Sequence, residues 1–501
     1  MTPDLTPLMR AWSRRRLAVL DAQDAVAAQR RTLRRLLRRA ASTRFGRAHG
    51  FGHIADVAAF QKAVPLKSFE SLRSEWWGPA MPRVGGQTWP GPIPYFALSS
   101  GTTGAATKRI PVSTAMLRSN RASALDVLAF HLRARPQSRL LSGRTIMLGG
   151  STALDTLAPG IRSGDLSAIA AIDVPAWARP MTTPPPAIAL IGDWRVKMTR
   201  IAALARTQTI TAISGTPSWM LPFFEVATQD RPGARLRDLF PALELIIHGG
   251  VSMGPYRDHF DWWLEGSGAE TREVYAASEG FIAAVDASPD DGMRLELDHG
   301  LFMEFVRPAD LGSANPDRRW VADAEIGVEY ALVLTTNAGM WSYVLGDTVM
   351  LTSLNPPRVR ITGRLGWMLS VAGEHITGGE LDVAMAEAGR AVGRHVVDYA
   401  AAGVAPGIQD TRPGHLFVVE LDGEADLAVF SRVLDETLAR GSDDYAAHRA
   451  GDFSLRPPDL RVVKPGHFAA WMASRSKLGG QNKVPRVIAD PDLLRSLLDE
   501  R

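Results

Sequence analysis

The chain of 501 residues contains no cysteine. Disulfides, thiolate metal sites and a cysteine nucleophile are therefore excluded. No apolar run is long enough to span a bilayer, because Pro, Gly or charge interrupts each one. Residues 1–16 lack an apolar segment followed by a small-residue cleavage site, so secretion is not expected and a cytoplasmic location is. Internal repeats and low-complexity segments are also missing, aromatics make up only 7% of the residues, and lysine is scarce. What remains is an ordinary globular composition, 46% hydrophobic and 22% charged. The length suits two or three domains with substantial cores.

The formal net charge is only +4, yet basic residues crowd between Arg10 and Arg47. The doublets Arg30-Arg31, Arg34-Arg35 and Arg38-Arg39 recur at helical spacing, with Leu33, Leu36 and Leu37 interleaved. That pattern predicts an amphipathic helix. Its basic stripe reads either as a solvated face or as a surface for nucleic acid or anionic lipid. The first reading is preferred, so neither a nucleic-acid nor a membrane partner is expected.

Residues 9–40 and 113–134 read as helical, with a turn at Thr43-Arg44-Phe45-Gly46 and a Gly/Pro-rich connector at 78–94. The apolar runs 145–148, 209–213 and 243–247 alternate with helical segments, which predicts a buried, mostly parallel sheet. From about 281 the texture changes. Asp290-Asp291-Gly292 predicts a hairpin turn between 281–286 and 293–297, and strands at 301–306, 328–335 and 346–352 follow, suggesting an antiparallel β subdomain over about 281–355. Strands near 394–402, 415–421 and 459–464 flank a helix at 425–440 in a small α+β unit. The expected fold class is thus α/β, with a large N-terminal domain over 1–362 and a small C-terminal one over 363–501.

The most informative stretch is Ser99-Ser100-Gly101-Thr102-Thr103-Gly104, followed by Lys108, after the apolar run 93–98. A loop of Ser, Thr and Gly contributes little to a core. It offers hydroxyls and unobstructed backbone N–H groups, which suit an anion such as phosphate. The spacing is not that of the Walker loop, since the second Gly and the Lys-Ser/Thr pair fall elsewhere. A plain flexible linker is the alternative.

Three further motifs follow in order. Val274-Tyr275-Ala276-Ala277-Ser278-Glu279-Gly280 is a strand ending in a carboxylate. Tyr343-Val344-Leu345-Gly346-Asp347 delivers a second carboxylate from a Gly turn. Gly480-Gln481-Asn482-Lys483-Val484-Pro485-Arg486 is a polar loop presenting one lysine. Singly, these are a surface acid, a turn residue and a solvated cation. Together they supply what nucleotide activation of a carboxylic acid requires: an oxygen ligand for Mg²⁺, an acceptor for ribose hydroxyls, and a cation for charge developing at the α-phosphate.

With Arg44-Phe45-Gly46-Arg47 and Val64-Pro65-Leu66 added, the set resembles the auxin-responsive (Gretchen Hagen) acyl-acid amido synthetases, in a bacterial form, within the adenylate-forming superfamily. The order of the motifs over almost the whole chain, with Gln481-Asn482-Lys483-Val484-Pro485-Arg486 near its end, carries the resemblance. It implies ATP and Mg²⁺, a small carboxylic acid (aryl, indolyl or similar) and an amine acceptor, usually an amino acid. It further implies that Ser99, Ser100, Thr102 and Thr103 wrap the phosphates. Tyr275 and Ser278 would line the adenine and α-phosphate region, with Gly249-Gly250 offering bare backbone to adenine. Asp347 would hold the ribose, Arg364 would join the nucleotide site, and Glu279 would bind the metal. Thr216 and Trp219 would belong to the acid pocket. Lys483 would enter on closure of the small domain about a hinge near 363–372. The resemblance also leans toward a monomer.

Two positions depart from the family's pattern. Trp341-Ser342-Tyr343-Val344 lacks the basic residue often found before the Gly-Asp, and Glu374-His375 stands where an acidic-Lys pair is usual. A neutral imidazole cannot replace an ammonium at pH 7 unless its pKa rises. Transfer to coenzyme A or a carrier thiol is therefore the alternative second step. More remote are a serine hydrolase built on Gly250-Val251-Ser252-Met253-Gly254 with His375 or His415, and a non-catalytic binding protein.

Overall fold

The structure, a computed structural model, describes residues 4–99, 108–149, 154–250, 253, 256–365, 368–374, 376–407, 410–474 and 484–499. The expected N-terminal helix is two helices, Thr6–Asp21 and Ala25–Ala40. Asp24 starts the second, its carboxylate accepting from the Ala27 N–H at 2.8 Å, an N-cap that interrupts the continuous periodicity. Leu33, Leu36, Leu37 and Ala40 are buried while all six arginines of the doublets are exposed. Arg30 lies over the Trp320 ring and Arg35 donates to the Asp298 carbonyl. The stripe is a solvated face with local attachments.

Strands and helices alternate through the first half as the apolar runs predict. Among the described residues the principal sheet has twelve strands. From Glu270–Ala277 outward on one side, Leu245–Gly249, Ile210–Gly215, Arg144–Met147 and Thr182–Thr183 pair in parallel. On its other side Gly280–Ala284, Met293–Leu295, Pro357–Arg364, Tyr343–Leu354, Glu329–Thr336, Leu301–Val306 and Arg318–Arg319 pair antiparallel. The antiparallel texture is present, with Ala283 opposite Leu295 across the expected hairpin. The strands of the β-rich stretch continue the same sheet as the parallel ones. Glu270–Ala277 pairs in both senses, so parallel and antiparallel halves form one sheet. Sequence periodicity reports each strand's burial but not which neighbour it bonds.

Side-chain alternation puts Ile146, Ile213 and Ile246 on the face covered by the helices Trp194–Ala205, Pro217–Thr228 and Arg257–Leu264. Ala212 and Leu245 face the opposite way, toward Leu140, and Ala284 meets Val127 and Phe130 of the helix Thr114–Ala134. A smaller sheet holds Tyr95–Ser99 between Lys108–Val112 and Ile161–Gly164, with Asp155–Ala158 at its edge. Ser99 stands opposite Lys108 in antiparallel register. The strands that flank the Ser/Thr/Gly stretch in sequence are therefore antiparallel partners.

Toward the C-terminus, Val396–Val404, Gly414–Leu421 and Asp459–Val463 form a three-stranded sheet. Tyr399, Ala401, Phe417 and Val419 pack against Phe430, Leu434 and Leu438 of Leu427–Gly441 and against Leu381, Ala384 and Met385 of Gly378–Ala391. Ala400 and Val418, one residue out of phase, pack on the other face with Phe468, Trp471 and Ile488. The helix Gly378–Ala391 had no counterpart in the sequence reading. No helix among the described residues is long and apolar enough to cross a membrane.

Candidate active site

The strands Ile210–Gly215, Leu245–Gly249 and Glu270–Ala277 run parallel, so their carboxyl ends open on one side of the sheet. In an open α/β sheet that edge is where ligands bind. A cavity of about 970 Å³ lies there, within the range of small-molecule sites. Of the residues expected in the site, Ser99, Thr216, Trp219, Gly249, Gly250 and Ser278 line it. They come from four separate stretches of the chain.

Gly249 ends the strand Leu245–Gly249, where a Cβ would stand 2.3 Å from the Val274 carbonyl oxygen. No side chain fits between these two strands, so the backbone itself forms the wall. Gly249→Ala should force the strands apart, costing about 1–3 kcal/mol of stability and raising the KM for ATP. Denaturant titration and ATP-dependent pyrophosphate release would measure the two effects.

Tyr275, Glu279 and Asp347 do not line the cavity among the described residues. Tyr275 and Glu279 are chain neighbours of Val274, Ala276 and Ser278, which do, and Asp347 is joined to Tyr275 by a hydrogen bond. Asp347 lies on Tyr343–Leu354 after Gly346, whose φ of +103° is open to glycine and strained for other residues. The Tyr275 hydroxyl donates to Asp347 Oδ2 at 2.5 Å, both groups being buried. Arg364 is opposite Asp347 in the antiparallel register. Glu279 occupies the turn between Glu270–Ala277 and Gly280–Ala284, near the Tyr343 phenol. Burial, followed by the neighbouring Glu279 charge, holds that phenol well above its ordinary pKa, so it stays protonated. The second and third motifs, far apart in sequence, thus meet through Tyr275 and Asp347.

Where the family often has a basic residue before the Gly-Asp, a guanidinium arrives from elsewhere. Arg318 donates to the Ser342 hydroxyl at 2.6 Å and pairs with Glu304 at 2.9 Å, all three being buried. At the other departure Glu374 is fully enclosed. Its carboxylate accepts from Val371 N, Ala372 N and His415 Nε2 at 2.8, 2.7 and 2.6 Å. The nominated hydrolase histidine His415 is therefore locked in the C-terminal core. Ser252, His375, Ser100, Thr102, Thr103 and Lys483 lie outside the described residues.

The far wall of the cavity comes from the C-terminal part: Gly373, Glu380 and residues 441–444, 446–448 and 450. Trp219 donates through Nε1 to His448 Nδ1 at 3.2 Å and stacks on that ring at 5.3 Å. Its indole thus meets a histidine of the helix Asp443–Arg449, which no motif had marked. Lys197 also lines the cavity, with its ammonium on the Gly149 and Ala189 carbonyls. Burial pushes its pKa down to about 8. Neither residue carries a sequence signal, because each acquires its surroundings only through packing.

Oxygen donors at the acidic positions suit a hard divalent cation. Glu279 offers a buried carboxylate at the turn after Glu270–Ala277, and Mg²⁺ commonly takes one or two carboxylates together with substrate phosphates. The arrangement fits such an ion.

Comparison with known proteins follows the same division of the chain. Residues 17–226 match the GH3 family N-terminal domain, 295–364 the central domain and 379–492 the C-terminal domain. The indole-3-acetic acid-amido synthetase GH3.8 of Oryza sativa subsp. indica is 31% identical over 40% of this chain and 35% of its own. The match thus spans about a third of that relative's length. A probable indole-3-acetic acid-amido synthetase, GH3.1 of Oryza sativa subsp. japonica, is 25% identical over 94% of this chain and 89% of its own. The solved structure of the GH3.15 acyl acid amido synthetase superposes with a TM-score of 0.60 at 19% identity, covering 96% of this chain and 95% of that one. With the family's three domains present in order, and with the fold of a solved member, the chain belongs to the GH3 family.

Proposed function

We propose that this chain is an ATP-dependent acyl-acid amido synthetase. The observation that carries the reading is the convergence of two distant motifs beside one cavity. Tyr275 and Asp347, 72 residues apart, are joined by a buried hydrogen bond. The relatives' names support the same chemistry.

In the proposed first step a carboxylate oxygen of the acid attacks the α-phosphorus of ATP, and the bond to the departing pyrophosphate breaks. Asp347 accepts from ribose hydroxyls, the Gly249 backbone borders adenine, and Ser99 with Ser100, Thr102 and Thr103 surrounds the phosphates. Mg²⁺ held by Glu279 would neutralise phosphate charge. In the second step an amine attacks the acyl carbon, the bond to AMP breaks, and the amine's surplus proton leaves. Positioning and electrostatics account for the catalysis, with no covalent enzyme intermediate. The acid occupies the cavity near Thr216 and Trp219. The amine, an amino acid, approaches from the wall formed by the C-terminal part. Residues 363–372 serve as the hinge between an N-terminal and a C-terminal domain, and Lys483 is carried in by the latter.

The test is a pyrophosphate-release screen over aryl, indolyl and aliphatic acids, repeated with amino acids and with coenzyme A. Acid-dependent pyrophosphate release and an amide product are expected. A thioester as the only product would overturn the acceptor, and no release with any acid would overturn the ligase reading.

A further inference from the structure

Four histidines are buried among the described residues, and three have clear employment. His131 contacts Glu270 and Ser138, His415 contacts Glu374, and His448 contacts Trp219 and Ser454. His415 Nδ1 is also unpaired, but that ring is fixed through Nε2, whereas the His248 ring makes no hydrogen bond among the described residues. The His248 side chain is only 3% exposed, and its Nδ1 is shut off from solvent with no hydrogen-bond partner. It also lines the cavity, one residue before Gly249.

Alternation along the strand puts His248 on the same face as Ile246, the face covered by Pro217–Thr228 and Arg257–Leu264. Thr216 and Trp219, at the start of the first of these helices, line the same cavity. The titratable neighbours on this face are Arg257, from the second helix, and Glu273, opposite His248 in the parallel register. Burial, assisted by the Arg257 charge, pushes the His248 pKa down to about 4, so the ring is neutral at physiological pH. A neutral imidazole presents one N–H donor and one bare lone pair. That combination suits a group that donates and accepts at once. It does not suit a carboxylate, which calls for a cation.

Leaving a polar group buried and unpaired is costly, and folded proteins rarely tolerate it without a function. We propose that the His248 imidazole determines acid specificity by pairing with a hydroxyl on the acyl substrate, so that hydroxylated acids are selected over their deoxy counterparts. The proposal rests on the amido synthetase reading and gives its acid a chemical class. A wholly apolar acid would cover the imidazole and leave it unpaired. A hydroxylated one satisfies it, and such a site discriminates far more strongly than a missing methylene does. The ribose of ATP is the other source of hydroxyls, and it is separated by experiment.

Matched pairs of acids with and without a hydroxyl would be compared in pyrophosphate release, using wild type, His248→Phe and His248→Gln. The wild type is expected to favour the hydroxylated member by roughly 10- to 100-fold in kcat/KM. His248→Phe should abolish or invert that preference, chiefly by lowering kcat/KM for the hydroxy acid, and His248→Gln should restore part of it. The KM for ATP should stay unchanged, and calorimetric affinities for the acids should follow the same order without turnover. An unchanged ratio in a folded, active His248→Phe enzyme would overturn the proposal while sparing the ligase reading. A raised KM for ATP with every acid would assign the imidazole to the nucleotide instead and overturn it equally. Failure of every acid to release pyrophosphate would sink the underlying activity, whereas the calorimetric comparison would still decide the role of His248.

Discussion

Lys483→Ala is expected to slow formation of the acyl-adenylate by roughly 10²–10³ while ATP binding survives. Lys483 precedes a segment anchored in the C-terminal part of the chain. On its C-terminal side the chain is docked onto the C-terminal sheet: Ala401 N donates to the Arg486 carbonyl, and Ile488 N to the Ala401 carbonyl, both at 2.8 Å. Arg486 is committed there, pairing with Asp398 and lying over the Tyr399 ring at 4.3 Å. It is the residue that fastens the segment, which leaves Lys483 as the cation to be delivered. An ammonium meeting charge that develops at the α-phosphate stabilises the transition state more than the ground state, so its loss should fall on kcat rather than on the KM for ATP. Pyrophosphate exchange would measure the first step. Amide formation from supplied acyl-adenylate would measure the second, which should proceed nearly normally. Unaltered exchange in this variant would remove the lysine from the mechanism.

Glu374→Ala should be the most destabilising of the substitutions considered, by about 3–5 kcal/mol. It strands a buried His415 and leaves two backbone N–H groups, of Val371 and Ala372, without their acceptor. The turn they form also meets the N-terminal part, since Ser218 donates to the Ala372 carbonyl and Tyr256 to the Val371 carbonyl, both at 2.6 Å. The effect should therefore include looser attachment between the two parts, read as greater proteolytic sensitivity around residues 363–374. Burial by itself would raise the Glu374 pKa, but His415 and the N–H groups outweigh it and hold the carboxyl below its ordinary 4.5. A depressed folded-state pKa stabilises above the unfolded value and is lost as pH falls through the folded one. Wild-type stability should accordingly decline on acidification below about pH 4.5. Glu374→Gln, which keeps the shape but not the charge, should show a shallower decline in urea midpoints. Equal acid slopes in the two proteins would contradict this account of the pair.

Glu374 also shows where family pattern and local chemistry part company. Read as sequence, Glu374-His375 is a departure from an acidic-Lys pair and weakens confidence in the amine acceptor. In three dimensions the glutamate is consumed by the fold, with His415 arriving from a strand 41 residues away. The acidic member of the pair therefore holds the connecting turn, while the departure itself falls on His375, outside the described residues. Trp219 illustrates the converse. Its sequence neighbours placed it at the acid pocket, and it does line the cavity, but its indole N–H is already engaged by His448.

Much of this protein was legible in the linear chain because the relevant signals are local. Absent cysteine removes whole classes of chemistry, apolar period and turn residues locate strands and helices, and Ser, Gly and carboxylates at fixed spacings mark nucleotide chemistry. Three things required the tertiary structure. Glu270–Ala277 joins two textures into one sheet, Tyr275 of one motif bonds Asp347 of another, and His248 comes to lie unpaired at a cavity. Each depends on which distant groups share a neighbourhood. Hydrogen bonds and desolvation act over a few ångströms in space, whatever the separation along the chain.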